Sequence, residues 1–150
     1  MKRRGWIGLG VGALALAAAL SAWLFAPTEI RIDHTDARLV ARGEHVYAQH
    51  CASCHGRNLE GQPDWQSRNA QGRLPAPPHD EHGHTWHHDD RVLFEVTKYG
   101  LARHAPPGYQ SDMPAFEGSL GDRDIVAVLA FIQSRWPASI HDKRRAAGMD

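Results

Sequence analysis

Apolar positions are densest near the amino terminus of the chain. An uncharged, largely apolar stretch runs from Gly5 to Ala26, directly after three basic residues at positions 2–4. A helix of about 20 such residues spans a hydrocarbon core of about 30 Å, and a basic cluster before it stays cytoplasmic under the positive-inside rule. We therefore predict that residues 1–26 are an export signal retained as a transmembrane anchor.

The alternative for this segment is cleavage after export. Ala19 and Ser21 form a weak cleavage site, whereas Trp6 and Trp23 lie near the two ends of the apolar run, as interfacial anchors do. An uncleaved segment predicts attachment to the bacterial inner membrane, with the domain facing the periplasm. A cleaved segment predicts a soluble periplasmic protein.

Beyond a polar linker at residues 27–36, apolar positions recur at three- and four-residue steps, which predicts helices. Asp36 is the expected N-cap of the first helix. The second is expected to begin at Asp89 or Asp90 and to end at Gly100. The expected inner faces are Val40, Gly43, Val46 and Tyr47 in the first helix, and Val92, Leu93, Val96 and Tyr99 in the second.

A third helix is expected to begin at Asp122 or Asp124 and to end before Pro137. Its apolar positions, which fit an amphipathic helix, are Ile125, Val128, Leu129, Ile132 and Trp136. The sequence shows no sustained alternation typical of strands, so we predict one all-α domain over residues 37–137. Residues 138–150 are predicted to form a solvated tail.

Two long loops separate the predicted helices. Residues 56–90 are rich in Gly, Pro, Asn, Gln and His and keep no apolar period, and the segment after Gly100 is again rich in Gly and Pro. Loops of this length in a compact domain are usually functional, and so small a domain buries little apolar surface of its own. A large planar cofactor would complete the core.

Composition sets the wider limits. With 150 residues, 42% of them hydrophobic, the chain has room for one compact domain. Its 17 basic and 17 acidic residues give a net charge of zero, which provides no basis for nucleic-acid binding through phosphate neutralisation. Partners must therefore be inferred from the chemistry of the site.

The two cysteines of the chain are Cys51 and Cys54, and His55 follows them directly. This Cys-Ala-Ser-Cys-His sequence is the attachment pattern of haem c. Thiols three residues apart on a helical turn both reach the vinyl groups along one haem edge, and the adjacent imidazole then provides a nitrogen ligand to the iron. We predict one covalent haem c per chain, bound by Cys51 and Cys54, with His55 as an axial ligand.

Three other uses of such a cysteine pair fit less well. A disulfide across two residues is strained and closes almost no loop. A thioredoxin-like redox pair needs surrounding strands, which the sequence does not predict. A structural zinc site of the common kind has a second cysteine pair, which this chain lacks, although histidines are available as further ligands.

Met113 is the expected sixth ligand of the iron. Apart from Met1 and Met149 it is the only methionine, and it precedes the third helix. A thioether favours ferrous iron, so His/Met ligation raises the reduction potential relative to His/His ligation. Pro114 restricts Met113 to extended backbone and helps to fix its sulfur. The alternatives are a methionine packed in the core and a histidine ligand such as His104.

With the cysteine motif near its start and Met113-Pro114-Ala-Phe116 near its end, the domain resembles a class I c-type cytochrome over roughly residues 37–137. The resemblance implies a cytochrome c-like fold with three main helices and long loops around one covalent haem. It also implies that the protein is a monohaem carrier of single electrons rather than an enzyme, so no catalytic residues are expected. The implied partners are redox proteins of the periplasm or inner membrane, such as an oxidase, a dehydrogenase or another cytochrome.

The resemblance also implies two local features. The first and last helices should cross closely, with Gly43 and Tyr47 opposite Val128 and Phe131. A proline carbonyl should accept a hydrogen bond from the ligating histidine, and the sequence leaves Pro75, Pro77 and Pro78 as candidates. The segment from Leu74 to His88 further resembles a bacterial subgroup of single-haem proteins.

Two alternatives to electron transfer remain at this point. If Met113 does not bind, the iron would be open to peroxide or a small gas, and the protein would be an enzyme. The other depends on five histidines that lie among acidic residues between His79 and His88, a composition typical of copper or zinc binding. Such residues, with Trp86, also serve as contacts for haem propionates, so a second metal at His79–His88 is the lesser prediction.

Overall fold

Five α-helices frame the protein in the computed structural model, which describes residues 30–149. They are α1 (Ala37–His50), α2 (Ala52–His55), α3 (Asp90–Tyr99), α4 (Asp122–Ser134) and α5 (Ala138–Ala147), and short 3-10 turns cover Thr85–His87 and Leu101–Arg103. No strand occurs within the described residues, in agreement with the all-α fold predicted from the sequence.

The crossing of α1 and α4 is the most extensive contact between helices. The two backbones meet at Gly43, where a Cβ atom would lie 1.9 Å from the carbonyl oxygen of Ala127 and 2.8 Å from the Cβ of Phe131. One turn further along α1, Tyr47 packs against Phe131 with 5.3 Å between ring centroids. The close crossing of a small residue with an aromatic one, as the family resemblance implies, is therefore present.

The hydrophobic core is built around this crossing and is extended by the loops and the other helices. Its buried members are Ile32, Val46, Tyr47, Leu59, Leu93, Phe94, Phe116, Leu120, Ile125, Val128, Leu129, Ala130, Phe131, Ile132, Trp136 and Ile140. Most of α4 is buried, because it packs on α1 on one side and on α3 on another.

The helix ends follow the sequence signals closely. The Asp36 side chain accepts hydrogen bonds from two backbone N–H groups at the start of α1, and Asp89 accepts one from Val92 at the start of α3. The C-cap of α3 is Gly100, whose φ of 80° is readily adopted by glycine. The start of α4 at Asp122 is one of the two predicted starts, with Gly121 as its N-cap and no side-chain cap.

The inner face of α3 is shifted from the prediction. Leu93 is buried as expected, but Phe94 and Thr97 are buried with it, whereas the predicted Val92, Val96 and Tyr99 are only half-buried. Thr97 is tolerated inside because its hydroxyl donates to the carbonyl of Leu93 at 2.8 Å. An apolar period cannot identify a buried threonine of this kind.

The carboxyl-terminal segment corrects the prediction of a solvated tail. After α4 ends at Ser134, Pro137 serves as the N-cap of α5, and Gly148 closes α5 in the left-handed conformation with a φ of 66°. Ile140 and Arg144, one turn apart, are both buried. Because its charge is paired, Arg144 can lie inside the protein, which its residue type alone did not suggest.

Arg144 connects α5 to the start of α3. Its guanidinium donates to the Asp90 carboxylate at 2.7 Å and to the backbone carbonyl of Trp86 at 3.1 Å, as well as to that of His88 at 2.5 Å. The same Asp90 oxygen accepts a hydrogen bond from Gln133 of α4 at 2.7 Å. The Arg144 side chain is fully buried, with an exposed fraction of 0%, so one cation holds three elements together.

Among residues 30–149, no helix is both long enough and apolar enough to cross a membrane. The predicted anchor, residues 1–26, lies outside the described part of the chain, as do residues 27–29 of the predicted linker.

The buried ion pair gives a test of this packing. Replacing Arg144 by Met leaves the Asp90 carboxylate buried without its cation, and we expect the free energy of unfolding to fall by about 3–5 kcal/mol. Arg145→Met is the matched control, since Arg145 pairs with Asp142 on the surface, and it should cost about 0–1 kcal/mol. Denaturant unfolding measures both values, and equal losses would contradict a special role for Arg144.

Candidate functional site

The two cysteines lie where α1 passes into α2. Cys51 is the C-cap of α1 and the N-cap of α2, and Cys54 lies one turn later. Both are free thiols, Cys51 half-buried and Cys54 exposed. Burial, together with the neighbouring Cys54, raises the pKa of the Cys51 thiol to about 11, so this sulfur keeps its proton at neutral pH. The turn thus presents two thiols on one side, three residues apart.

His55 ends the same turn and is buried, with 8% of its surface exposed. Its Nδ1 lies 2.9 Å from the carbonyl oxygen of Pro77. Because a carbonyl oxygen only accepts hydrogen bonds, Nδ1 carries the proton and Nε2 keeps a lone pair. Burial lowers the pKa of His55, against the smaller opposing effect of the Pro77 bond. The side chain is therefore a neutral imidazole with one nitrogen available to a metal.

Pro77 is held in position by the backbone on both sides of it. The N–H of Gln62 donates to the carbonyl of Ala76 at 2.9 Å, and the N–H of His79 donates to that of Leu59 at 2.8 Å. Of the three prolines that the sequence left open, Pro77 is the one whose carbonyl faces His55.

Two glycines allow the chain to pass close to the Pro77–Pro78 segment. A Cβ on Gly61, where φ is +69°, would lie 2.4 Å from the Pro78 nitrogen, and a Cβ on Gly83 would lie 2.0 Å from the Pro78 carbonyl oxygen. Neither position has room for a side chain. The loop from 56 to 90 is therefore tightly packed at this point although it has no regular structure.

Tyr47 connects the turn at residues 51–55, the cysteine turn, to the hydrophobic core. Its hydroxyl donates to the carbonyl oxygen of Gly56 at 2.8 Å, directly after His55. Burial raises the pKa of Tyr47, and the charges of Cys51 and Glu60 raise it further, so the phenol stays protonated and remains a donor. The sequence indicated Tyr47 only as a core residue, because periodicity does not show where a hydroxyl will point.

Met113 lies on the loop between the second 3-10 turn and α4. It is half-buried and packs against the hydrophobic core, and its backbone N–H donates to the Ser111 hydroxyl at 3.0 Å. The segment after it is fastened to the end of α3, where the N–H of Phe116 donates to the carbonyl of Thr97 at 3.2 Å. The side chain proposed from the sequence thus lies on an anchored segment of loop.

Two contacts join the cysteine side of the site to the Met113 side. His50, adjacent to Cys51, meets Phe116 edge to face with 6.2 Å between ring centroids. Arg73, in the loop that carries Pro77, forms an ion pair with Asp112, the neighbour of Met113. The Nε atom of Arg73 is buried and has no hydrogen-bond partner among the described residues. Sequence reasoning missed Arg73, since a single arginine in a polar loop carries no signal.

The histidines of the histidine-rich segment, residues 79–88, make separate contacts with different residues. His84 stacks on Trp65 at 5.6 Å and His87 stacks on Trp86 at 3.6 Å, both between ring centroids. Within residues 30–149, no group of three or more His, Cys, Asp or Glu side chains is arranged to hold a metal ion. The indole N–H of Trp86, an expected propionate contact, donates instead to the backbone carbonyl of Glu81 at 3.3 Å.

His104, the alternative sixth ligand, is paired with an acidic side chain of α3. Its Nε2 lies 3.1 Å from a carboxylate oxygen of Glu95 on α3. His104 follows the second 3-10 turn and is an exposed residue. Nothing in this arrangement resembles the buried environment of His55.

The cytochrome c family profile matches residues 40–136. This match covers more than half of the chain and contains both the cysteine turn and Met113, so the chain belongs to the cytochrome c family. The family is one of electron carriers rather than enzymes, and the Cys51/Cys54 pair fits one covalent haem c. No solved structure matches the chain closely enough to add to this assignment.

The close approach at Gly61 is testable with a matched pair of variants. Gly61 and Gly72 both have positive φ, but a Cβ on Gly72 would meet nothing within 4 Å. We expect Gly72→Ala to cost about 1 kcal/mol through backbone strain, and Gly61→Ala to cost about 1–3 kcal/mol more because it also displaces the Pro77–Pro78 segment. Thermal or denaturant unfolding gives the difference, and equal costs would mean that the segment yields freely.

Proposed function

We propose that this protein carries single electrons through one haem c, bound covalently by Cys51 and Cys54 and ligated axially by His55 and Met113. The observation that carries the proposal is the geometry of the turn at residues 51–55. It combines two free thiols three residues apart with a buried, neutral imidazole whose Nδ1–H donates to the carbonyl oxygen of Pro77. The haem supplies the redox chemistry when bound, and the chain supplies attachment, ligation and burial.

Covalent attachment suits the state of the two thiols. Cys51 and Cys54 would hold the haem through thioethers, each made by adding a thiol S–H across a haem vinyl group, with sulfur bonded to one carbon and hydrogen to the other. No atom is lost and no oxidant is consumed, but the cysteines must be reduced beforehand. Burial raises the pKa of Cys51 to about 11, so its sulfur is in the S–H form that this addition would consume.

Met113 is the sixth ligand that fits best. It is half-buried at the edge of the core on an anchored segment, whereas His104 is paired with Glu95. A His/Met pair favours the ferrous state more than a His/His pair does. With both axial positions filled by the chain, there is no open position for a substrate, which supports electron transfer over peroxide or gas chemistry.

The Arg73 side chain supports a bound haem on independent grounds. A buried N–H without a partner is costly in a native structure, and Arg73 Nε is the one such side-chain atom found within the described residues. A haem propionate is a carboxylate and would accept this hydrogen bond. The Arg73 guanidinium would then contact both the propionate and Asp112. It would thereby connect the cofactor to the segment that carries Met113.

Optical spectra of the protein matured with haem test this ligation. We expect a covalent haem whose absorption band for sulfur-to-iron charge transfer is present in the wild type and lost in Met113→Ala. His104→Ala is the control and should keep the band. The absence of covalent haem in the wild type would contradict the main proposal, and a band unaffected by Met113→Ala would assign the sixth position to another residue.

We further propose that the amino-terminal segment anchors the domain at the bacterial inner membrane, with the domain facing the periplasm. The support is the sequence of residues 1–26, an apolar run after three basic residues, which is long enough to span a bilayer. An anchor confines the haem domain near membrane-bound oxidases and dehydrogenases and raises its effective concentration there. These are the partners we propose.

Cell fractionation and the intact mass of the purified protein test the anchor together. We expect the full chain in the membrane fraction after carbonate extraction, with a mass that includes the leader, and with the domain open to protease added to spheroplasts. A shortened protein in the soluble periplasmic fraction would show that the leader is cleaved. Protection of the domain from external protease would contradict the proposed orientation.

A further inference from the structure

The ring of His79 lies flat against the ring of His55. Their centroids are 3.9 Å apart and their planes are inclined by 22°. His79 is one of the five histidines of the segment that ends at His88, and neither the family match nor the haem motif gives it a role. The proposed axial ligand therefore has a second contact besides the carbonyl of Pro77.

The two contacts on His55 restrict different motions of its side chain. The hydrogen bond from Nδ1 to Pro77 fixes one atom of the imidazole and its tautomer. A single bond of this kind leaves the ring free to tilt about that atom. A flat neighbour at stacking distance restricts the tilt, because the two faces stay in contact only when they are nearly parallel.

His79 is itself held from several directions. Its Nδ1 lies 2.7 Å from the hydroxyl oxygen of Thr85, a buried residue. Its backbone N–H donates to Leu59 at 2.8 Å, and its carbonyl accepts the indole N–H of Trp136 at 2.8 Å. With the side chain and both backbone groups engaged, His79 is a rigid surface rather than a mobile side chain.

The geometry excludes His79 as the second axial ligand. Two ligands on opposite sides of one iron cannot be stacked face to face at 3.9 Å. The neighbouring Tyr47 ring meets His79 edge on at 6.5 Å, so the same aromatic group contacts both the cysteine turn and this stack. The stack is part of the support of His55, not of its coordination.

We propose that His79 is a positioning residue for His55, and that its stacked face sets the plane of the axial imidazole. This inference rests on the proposed function. The orientation of an axial imidazole decides which iron orbital it overlaps, and outer groups that orient a ligand tune the metal. The plane set by His79 therefore determines the pattern of unpaired spin on the oxidised haem and contributes to the reduction potential.

The test compares variants that keep or remove a flat ring at position 79. His79→Phe keeps a planar face, whereas His79→Leu keeps apolar bulk without one. His82→Leu is the control, because His82 belongs to the same segment and its side chain is 80% exposed. The readouts are the proton NMR shifts of the haem methyl groups in the ferric protein, its electron paramagnetic resonance g values and its midpoint potential.

We expect His79→Leu to reorder the haem methyl shifts, change the g values and shift the potential, while His79→Phe and His82→Leu stay close to the wild type. Wild-type spectra in the Leu variant would overturn the proposal, and so would equal changes in the Leu and Phe variants, because the flat face would then not be the cause. A wild type without covalent haem would instead overturn the proposed function.

Thr85→Val decides the question if His79→Leu fails to fold. This change removes the hydroxyl that holds His79 Nδ1 and leaves a side chain of similar shape. A change in the g values and methyl shifts, with unfolding close to that of the wild type, would support the proposal. An unchanged spectrum in this variant, with His79→Leu unfolded, would overturn it.

Discussion

The hydrogen bond between His55 Nδ1 and the carbonyl of Pro77 is the interaction on which the arrangement of the site depends. It joins a helical turn, which carries the thiols, to a loop that has no regular structure. A buried imidazole without a partner would be costly, so the loop must present an acceptor at one particular point. The backbone bonds at Ala76 and His79 and the glycines at 61 and 83 all serve to keep Pro77 at that point.

The sequence predicted those parts of the structure that depend on short-range patterns. Asp36 and Asp89 are caps because their side chains reach backbone N–H groups two or three residues away, and Cys51, Cys54 and His55 share one turn because of their spacing. These relations are local, and local relations can be read from residue order. The crossing at Gly43 is not local, and its prediction depended on the family resemblance rather than on periodicity.

The parts that the sequence did not predict depend on pairs that are distant along the chain. Arg144 was assigned to a solvated tail because nothing near it in the sequence offers the carboxylate of Asp90. Arg73 and Asp112 are 39 residues apart, and the stacking of His79 on His55 needs the whole Pro77 loop to be folded. Composition did identify the histidine-rich segment, but it could not show that its members make separate contacts with Trp65, Trp86 and His55.

The position of Arg144 has a consequence for the order in which the molecule is completed. Its acceptors at Trp86, His88 and Asp90 are 58, 56 and 54 residues earlier in the chain, and closing such long loops is slower than forming local turns. Synthesis completes the cysteine turn, which ends at His55, 89 residues before Arg144. The segment that supports His79 is thus secured only after Arg144 has been made, so a chain cut short before Arg144 has the cysteine motif but lacks the hydrogen bonds that hold this segment.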